Sequence, residues 1–195
     1  FSDYDGDYLG EYYDDKPDLD SADAVVVTAG TTTTVDAELT AAGVVAGRVT
    51  AEDGGAPLEG VSVSVYEASS GDYVNGASSD ASGAYRIGYL TAASYKVGFY
   101  DHDGDYLGEY YDDKPDLDSA DAVAVTAGTT ATVDAELTAA GVVAGRVTAE
   151  DGGTPLEGVS VSVYNATSDD YVRSDATDGS GHYRIAFLTA GAYKV

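Results

Sequence analysis

Five consecutive residues, Asp101-His102-Asp103-Gly104-Asp105, set carboxylates at i, i+2 and i+4 around a glycine, and Glu109 follows four positions on. Oxygen ligands spaced this way on a flexible loop are what a calcium ion takes. Asp101, Asp103, Asp105 and Glu109 are therefore candidate calcium ligands, and Asp3, Asp5, Asp7 and Glu11 repeat the pattern near the start of the chain. The fit to the EF-hand pattern is partial: Tyr106 stands where that loop needs glycine, and Asp112 rather than Glu falls at its twelfth position. If residues 101–105 are extended, successive carboxylates point to opposite sides and the run is a solvated acidic loop instead. A second acidic run, Asp116, Asp118 and Asp121, follows in sequence.

The other reactive side chains are less suggestive. Asp112 and Asp113 are adjacent, so on a strand they face opposite ways and cannot flank one glycosidic bond. His102 aligns with Tyr4, and His182 with Ala84, in the repeated sequence described below. A general base would not be exchanged so freely between otherwise matched segments. No phosphate-binding glycine loop, nucleophile elbow or histidine-based metal motif is present. The expectation is that the protein is not an enzyme and has no cofactor, calcium being the one candidate. Tyrosine is abundant, with 17 residues. Tyr106, Tyr110 and Tyr111, like Tyr8, Tyr12 and Tyr13, could form an aromatic face for a glycan or a protein partner. The competing account is that tyrosine packs well on strands.

Composition narrows the partners. The 195 residues carry 35 acidic and 9 basic side chains, a formal charge of −26. Phosphate backbones need clustered Lys and Arg, so nucleic acid is not an expected partner. No apolar run approaches the length of a membrane helix, and membrane insertion is not expected. Absence of Cys rules out disulfides and thiolate metal sites. Disorder is a poor fit, since 44% of the chain is apolar and valine and tyrosine alternate with polar residues.

The elements that must position these side chains recur. Residues 5–25 return without a difference as 103–123, and 35–55 as 133–153, a shift of 98 positions. More than half of the differences between the copies lie between Glu67 and Ala84, as expected of a surface segment. The small, uncharged joints Thr40-Ala41-Ala42-Gly43 and Thr138-Ala139-Ala140-Gly141 divide the chain into three parts. Residues 1–39 read as the C-terminal part of a preceding repeat, 42–139 as a complete repeat, and 141–195 as the N-terminal part of the next. Within the complete repeat, period-2 patterns bounded by glycine, proline and aspartate predict strands over 44–50, 61–67, 73–78, 84–89, 95–101, 106–111, 122–126 and 132–137. Val61, Val63 and Val65 alternate with Ser62, Ser64 and Tyr66, for example. No segment has a helical period. Seven or eight short strands in 98 residues predict an all-β fold, a Greek-key sandwich of two sheets used in tandem.

The motifs G-R-V-T, G-x-P-L-x-G-V-x-V-x-V-Y, D-x-S-G-x-Y-x-I and L-x-A-x-x-Y-x-V resemble the carboxypeptidase regulatory-like domain over the whole repeat. The resemblance implies a transthyretin-like, immunoglobulin-like sandwich, and the family is similar to the B-type repeats of bacterial surface adhesins. It further implies tandem, non-catalytic spacers on extracellular proteins. Some adhesin relatives carry calcium or an internal Lys–Asn isopeptide bond. No Asn recurs here (Asn75 aligns with Arg173, and Glu67 with Asn165), and Lys16, Lys96 and Lys114 read as turn or outward residues. The expected role is a structural repeat of an extracellular or cell-surface stalk, fibre or filament, its partners being copies of itself head to tail. The alternative is a carbohydrate-binding accessory module of a secreted enzyme or adhesin, with a polysaccharide or host surface as partner.

The chain begins at Phe1 and contains no methionine, which reads as a mature form or a fragment. Its two ends fall inside one predicted core strand. The expectation is that the C-terminal part of one copy and the N-terminal part of the next complete a sandwich. This is reached either along one long polypeptide or by strand addition between subunits.

Overall fold

A computed structural model describes residues 1–150 and 152–195. The described residues are all-β, with strands β1 to β14 and no helix. They divide into two compact units. The first comprises Phe1–Thr50, Pro57–Phe99 and Glu109–Glu136; the second comprises Ala51–Ala56, Tyr100–Gly108 and Leu137–Val195.

In the first unit, β1 (Gly43–Ala51) pairs antiparallel with β4 (Ala84–Leu90) and parallel with β8 (Thr130–Thr132), and β9 (Ala135–Leu137) also pairs with β1. The second sheet runs β3 (Tyr73–Ser78), β2 (Ser62–Glu67), β5 (Ala93–Tyr100), β6 (Glu109–Tyr110), with β7 (Val123–Val125) also on β5. The chain changes sheet four times, between β1 and β2, β3 and β4, β4 and β5, and β7 and β8. Alternation does the rest: Val45, Val49, Tyr85 and Ile87 are buried from one sheet, and Val63, Val65, Val97 and Phe99 from the other. Tyr85 and Phe99 meet edge to face across the gap, ring centroids 6.0 Å apart.

The second unit repeats the front of this plan. Here β10 (Gly141–Arg146) pairs with β13 (His182–Leu188), and β11 (Ser160–Asn165) lies between β12 (Tyr171–Ala176) and β14 (Tyr193–Lys194). Val163, Ile185 and Leu188 form its core, with Val143, Val161, Tyr183 and Tyr193 packed around them.

Two predicted strands differ in extent. The strand expected over 106–111 is reduced to β6, with single bridges from Tyr106 to Ala139 and from Tyr110 to Lys114. The chain turns directly after it through Asp112 and Asp113, both at positive φ. The strand expected over 132–137 is divided into β8 and β9, so nine strands lie between residues 43 and 137. Between β8 and β9 the Val133 amide still donates to the Ala46 carbonyl at 3.0 Å, but a Cβ on Gly47 would lie 1.9 Å from the Val133 carbonyl oxygen, and Asp134 Oδ1 accepts the Arg48 amide at 2.8 Å. The bare glycine lets the chain come in at that point.

Sequence repeats are not matched by equal burial. Val125 in β7 is 4% exposed, whereas Val27, its counterpart 98 residues earlier, is 75% exposed and lies outside any strand. Val133, Ala135 and Leu137 are buried; Val35 and Leu39 are half-buried and Ala37 is exposed. The difference follows from pairing. β7 has β5 beside it and β9 has β1, while residues 22–39 have no strand beside them among the described residues.

Candidate functional site

The aspartate–glycine loops have the same internal geometry in both copies. Asp3 accepts the amide of Asp5 through Oδ1 at 3.3 Å, and those of Asp7 and Tyr8 through Oδ2 at 2.7 and 3.0 Å. Asp101 accepts the amides of Asp103, Asp105 and Tyr106 at 3.1, 2.8 and 2.8 Å. One carboxylate thus folds each loop around its own backbone donors, an Asx-type closure. Desolvation works against ionisation of Asp3, but the amides of Tyr8, Asp7, Asp5 and Gly6 outweigh it and hold its carboxyl below the ordinary 3.8.

The remaining predicted calcium ligands do not converge on this carboxylate. Asp7 pairs with Arg86, and Asp105 Oδ1 accepts from Arg184 Nη2 at 2.8 Å. Asp5 and Asp103 each supply a backbone carbonyl, to Arg86 at 2.5 Å and to Arg184 at 2.9 Å. The backbone of Glu11 exchanges hydrogen bonds with Phe1. Asp101, Asp103 and Asp105 lie in the second unit and Glu109 in the first. Among the described residues no group of three or more His, Asp or Glu side chains is arranged to hold a metal ion. A cleft of about 410 Å³ in the first unit is lined by Glu11, Asp14, Asp15, Asp36 and Glu38 together with Tyr13.

The second acidic run is also used locally. Asp116 accepts from the Ser119 hydroxyl at 2.7 Å and its amide at 2.9 Å. Lys96 donates to the carbonyls of Leu117 at 2.6 Å and Asp118 at 3.0 Å, tying this loop to β5. Asp121 binds Lys114 at 3.1 Å, and this contact, reinforced by the charges of Asp112 and Asp113, raises the Lys114 amine above its usual range.

The tyrosines predicted as a binding face are half-buried. Tyr110 packs against Tyr66, ring centroids 6.4 Å apart; the Tyr111 amide donates to the Val97 carbonyl at 2.8 Å; and Tyr106 bridges to Ala139 in the second unit. In the first copy Tyr8, Tyr12 and Tyr13 are exposed. His102 and His182 are both exposed, and His182 lies 4.0 Å from Asp178.

Sequence reasoning missed Arg86 and Arg184. Each donates to the aspartate–glycine loop of the preceding copy, and each contact lies wholly inside one compact unit. A signal was available: an arginine in the same Y-R-I register of both copies, in a chain with few cations. The backbone around it is repeated too. In the first unit Leu9 donates to Thr40 at 2.8 Å and Ala42 to Asp7 at 2.7 Å; in the second Leu107 donates to Thr138 at 2.9 Å and Ala140 to Asp105 at 2.8 Å.

Comparison with known proteins gives a family. The family model of the carboxypeptidase regulatory-like domain matches residues 44–138 and 142–195. No curated protein sequence matches. Among solved structures, the chain is similar to the TIE protein of Bacillus anthracis (19% identity, TM-score 0.40, 78% of this chain and 27% of that one). It is also similar to a streptococcal ancillary pilin (16% identity, TM-score 0.44, 78% and 52%). A third is GBS52, the minor pilin of Streptococcus agalactiae (16% identity, TM-score 0.39, 77% and 80%). The chain thus spans about a quarter of the first of these proteins and about half of the second. The family model matches well over half of the chain: this chain belongs to the carboxypeptidase regulatory-like domain family.

Proposed function

We propose that the chain is a structural, non-catalytic repeat of an extracellular stalk or fibre, in which copies follow one another head to tail. One observation carries this reading: among the described residues, matching sequence is buried where a strand lies beside it and exposed where none does. Val123 and Val125 pack beside β5, while their counterparts Val25 and Val27 lie open. In the second unit, residues 141–150 alternate half-buried and exposed, where the matching β1 is largely buried. An unpaired strand edge and an uncovered apolar face are features that proteins close with a partner. The partner whose sequence already fits is the corresponding half of another copy, since residues 109–137 seat on the first sandwich. Such a contact is heterologous and propagates in one direction.

Small-angle scattering on recombinant arrays of two, four and six 98-residue copies tests the reading. A maximum dimension that grows by a constant step per copy supports it. Arrays that stay near one size contradict it. Retention of the chain on an immobilised polysaccharide, lost in Tyr110→Ala, would move the assignment to an accessory carbohydrate-binding module.

A further inference from the structure

The end of β4 is irregular in both copies at one place. Val45 pairs with Ile87 and Gly43 with Leu90, so Val44 of β1 opposes two residues of β4, Gly88 and Tyr89. Val143 with Ile185 and Gly141 with Leu188 repeat this in β13. The residue that absorbs the extra length is Tyr89 in one copy and Phe187 in the other, each at φ 58°. Left-handed backbone at a bulky aromatic residue is unfavourable and persists only where the surroundings require it. A bulge re-aims the groups beside it. Here the Tyr89 amide is turned out of the ladder and donates to the Gly6 carbonyl at 3.1 Å, and the Tyr89 hydroxyl donates to the Asp3 carbonyl at 2.5 Å.

What sits on the bulge is the aspartate–glycine loop of the preceding copy. Gly6 and Gly104, at φ 78° and 80°, are both buried there. A Cβ on Gly6 would stand 3.3 Å from Arg86 Nη1, from Gly88 Cα and from the Tyr89 ring. A Cβ on Gly88 would stand 2.6 Å from the Gly6 carbonyl oxygen, and one on Gly104 would stand 2.7 Å from Ala186 Cβ. Arg86 and Arg184 lie beside the bulge, and each spans a carbonyl and a carboxylate of the loop with two nitrogens of one guanidinium. That forked geometry is available to arginine and not to lysine. Where Phe187 replaces Tyr89 the hydroxyl is gone, and the Arg173 guanidinium stacks over the Phe187 ring at 5.0 Å.

Building on the head-to-tail reading, we propose that the β4 bulge is a socket, one per copy, for the Asp-Gly-Asp loop of the preceding copy, and that Arg86 and Arg184 hold the loop in it. The partner chemistry is set by the socket: a forked cation in both copies, joined in the first by the outward Tyr89 amide, against a tight loop of acid, glycine, acid. The run of aspartates is then a joint between copies, folded by its first carboxylate and fastened by its last.

Amide hydrogen exchange on the 195-residue chain tests this. In Arg86→Gln, the amides of Ala42 and Tyr89, which donate to the loop, should exchange at least tenfold faster. The Ala140 amide, which donates to the Asp105 carbonyl in the second unit, should keep its rate. Arg184→Gln should reverse the pattern. Unchanged protection of Ala42 and Tyr89 in Arg86→Gln overturns the proposal, because the loop is then held by chain connectivity alone. Equal acceleration at both joints also overturns it, since arginine would then be acting on the fold as a whole. The readout is taken within one chain, so it is independent of whether arrays extend in scattering.

Discussion

The Tyr85 hydroxyl donates to the Val133 carbonyl at 2.5 Å, joining β4 to the short link between β8 and β9. Burial, with the charges of Asp134 and Tyr111 nearby, pushes the Tyr85 phenol far above its ordinary range, so it stays a neutral donor. Tyr85→Phe leaves the ring contact with Phe99 in place and deprives the buried carbonyl of its partner. The expected loss is about 1–3 kcal/mol in urea unfolding. A variant as stable as the parent would mean that the link relaxes to find another donor.

Gly47 faces the same carbonyl. Its counterpart Gly145 faces only the Tyr183 side chain, whose hydroxyl oxygen would lie 2.7 Å from an added Cβ. An alanine at 47 must displace backbone, whereas one at 145 need only swing a ring. Gly47→Ala should destabilise the chain by about 1–3 kcal/mol, and Gly145→Ala by under about 1 kcal/mol. Equal melting temperatures for the two variants would contradict the close approach at Val133.

These two positions also mark what the sequence could convey. Val61, Val63 and Val65 alternate with polar neighbours, and a strand follows at Ser62–Glu67; the valines are fully or almost fully buried. Strand β3 falls on the predicted 73–78, because its bounds are set by local turn residues. The break between β8 and β9 was not legible, since it depends on Gly47, far away in sequence. The same holds for Arg86. Its residue type suggests a surface cation, and only folding places it against Asp5 and Asp7. Repetition was plain at the level of letters, yet Val27 and Val125 differ in burial because burial belongs to the neighbours and not to the letter.

Acid should loosen the turns before the sheets. Hydrogen bonds from the Ser82 hydroxyl and the Ser82 and Ala84 amides lower Asp80, amides of His182 and Ser180 lower Asp178, and Ser21 and Ser119 lower Asp18 and Asp116. With Asp3, all are depressed from 3.8. A depressed carboxyl contributes stability that is present above its unfolded value and is lost as pH falls through the folded one. The melting temperature should therefore hold level down to about pH 4 and decline below it. A decline centred above about pH 5 would point to other groups.

Calcium provides a separate check on the loops. Three amides already occupy the Asp101 carboxylate, and Asp105 is engaged by Arg184. Millimolar calcium should leave the melting temperature of the chain unchanged. A rise of several degrees, lost in Asp103→Asn, would show that the loop opens to take a cation.

The central claim is that each half-repeat is completed by another copy. Hydrogen exchange across arrays of increasing length tests it most directly, read at the β7 amides and their equivalents. In the 195-residue chain the amides of Val25, Val26 and Val27 should exchange freely and those of Val123 and Val125 slowly. As copies are added, one leading set should remain fast and every later set slow, so that the fast fraction falls in inverse proportion to copy number. A fast fraction that stays constant as the array lengthens would contradict the account.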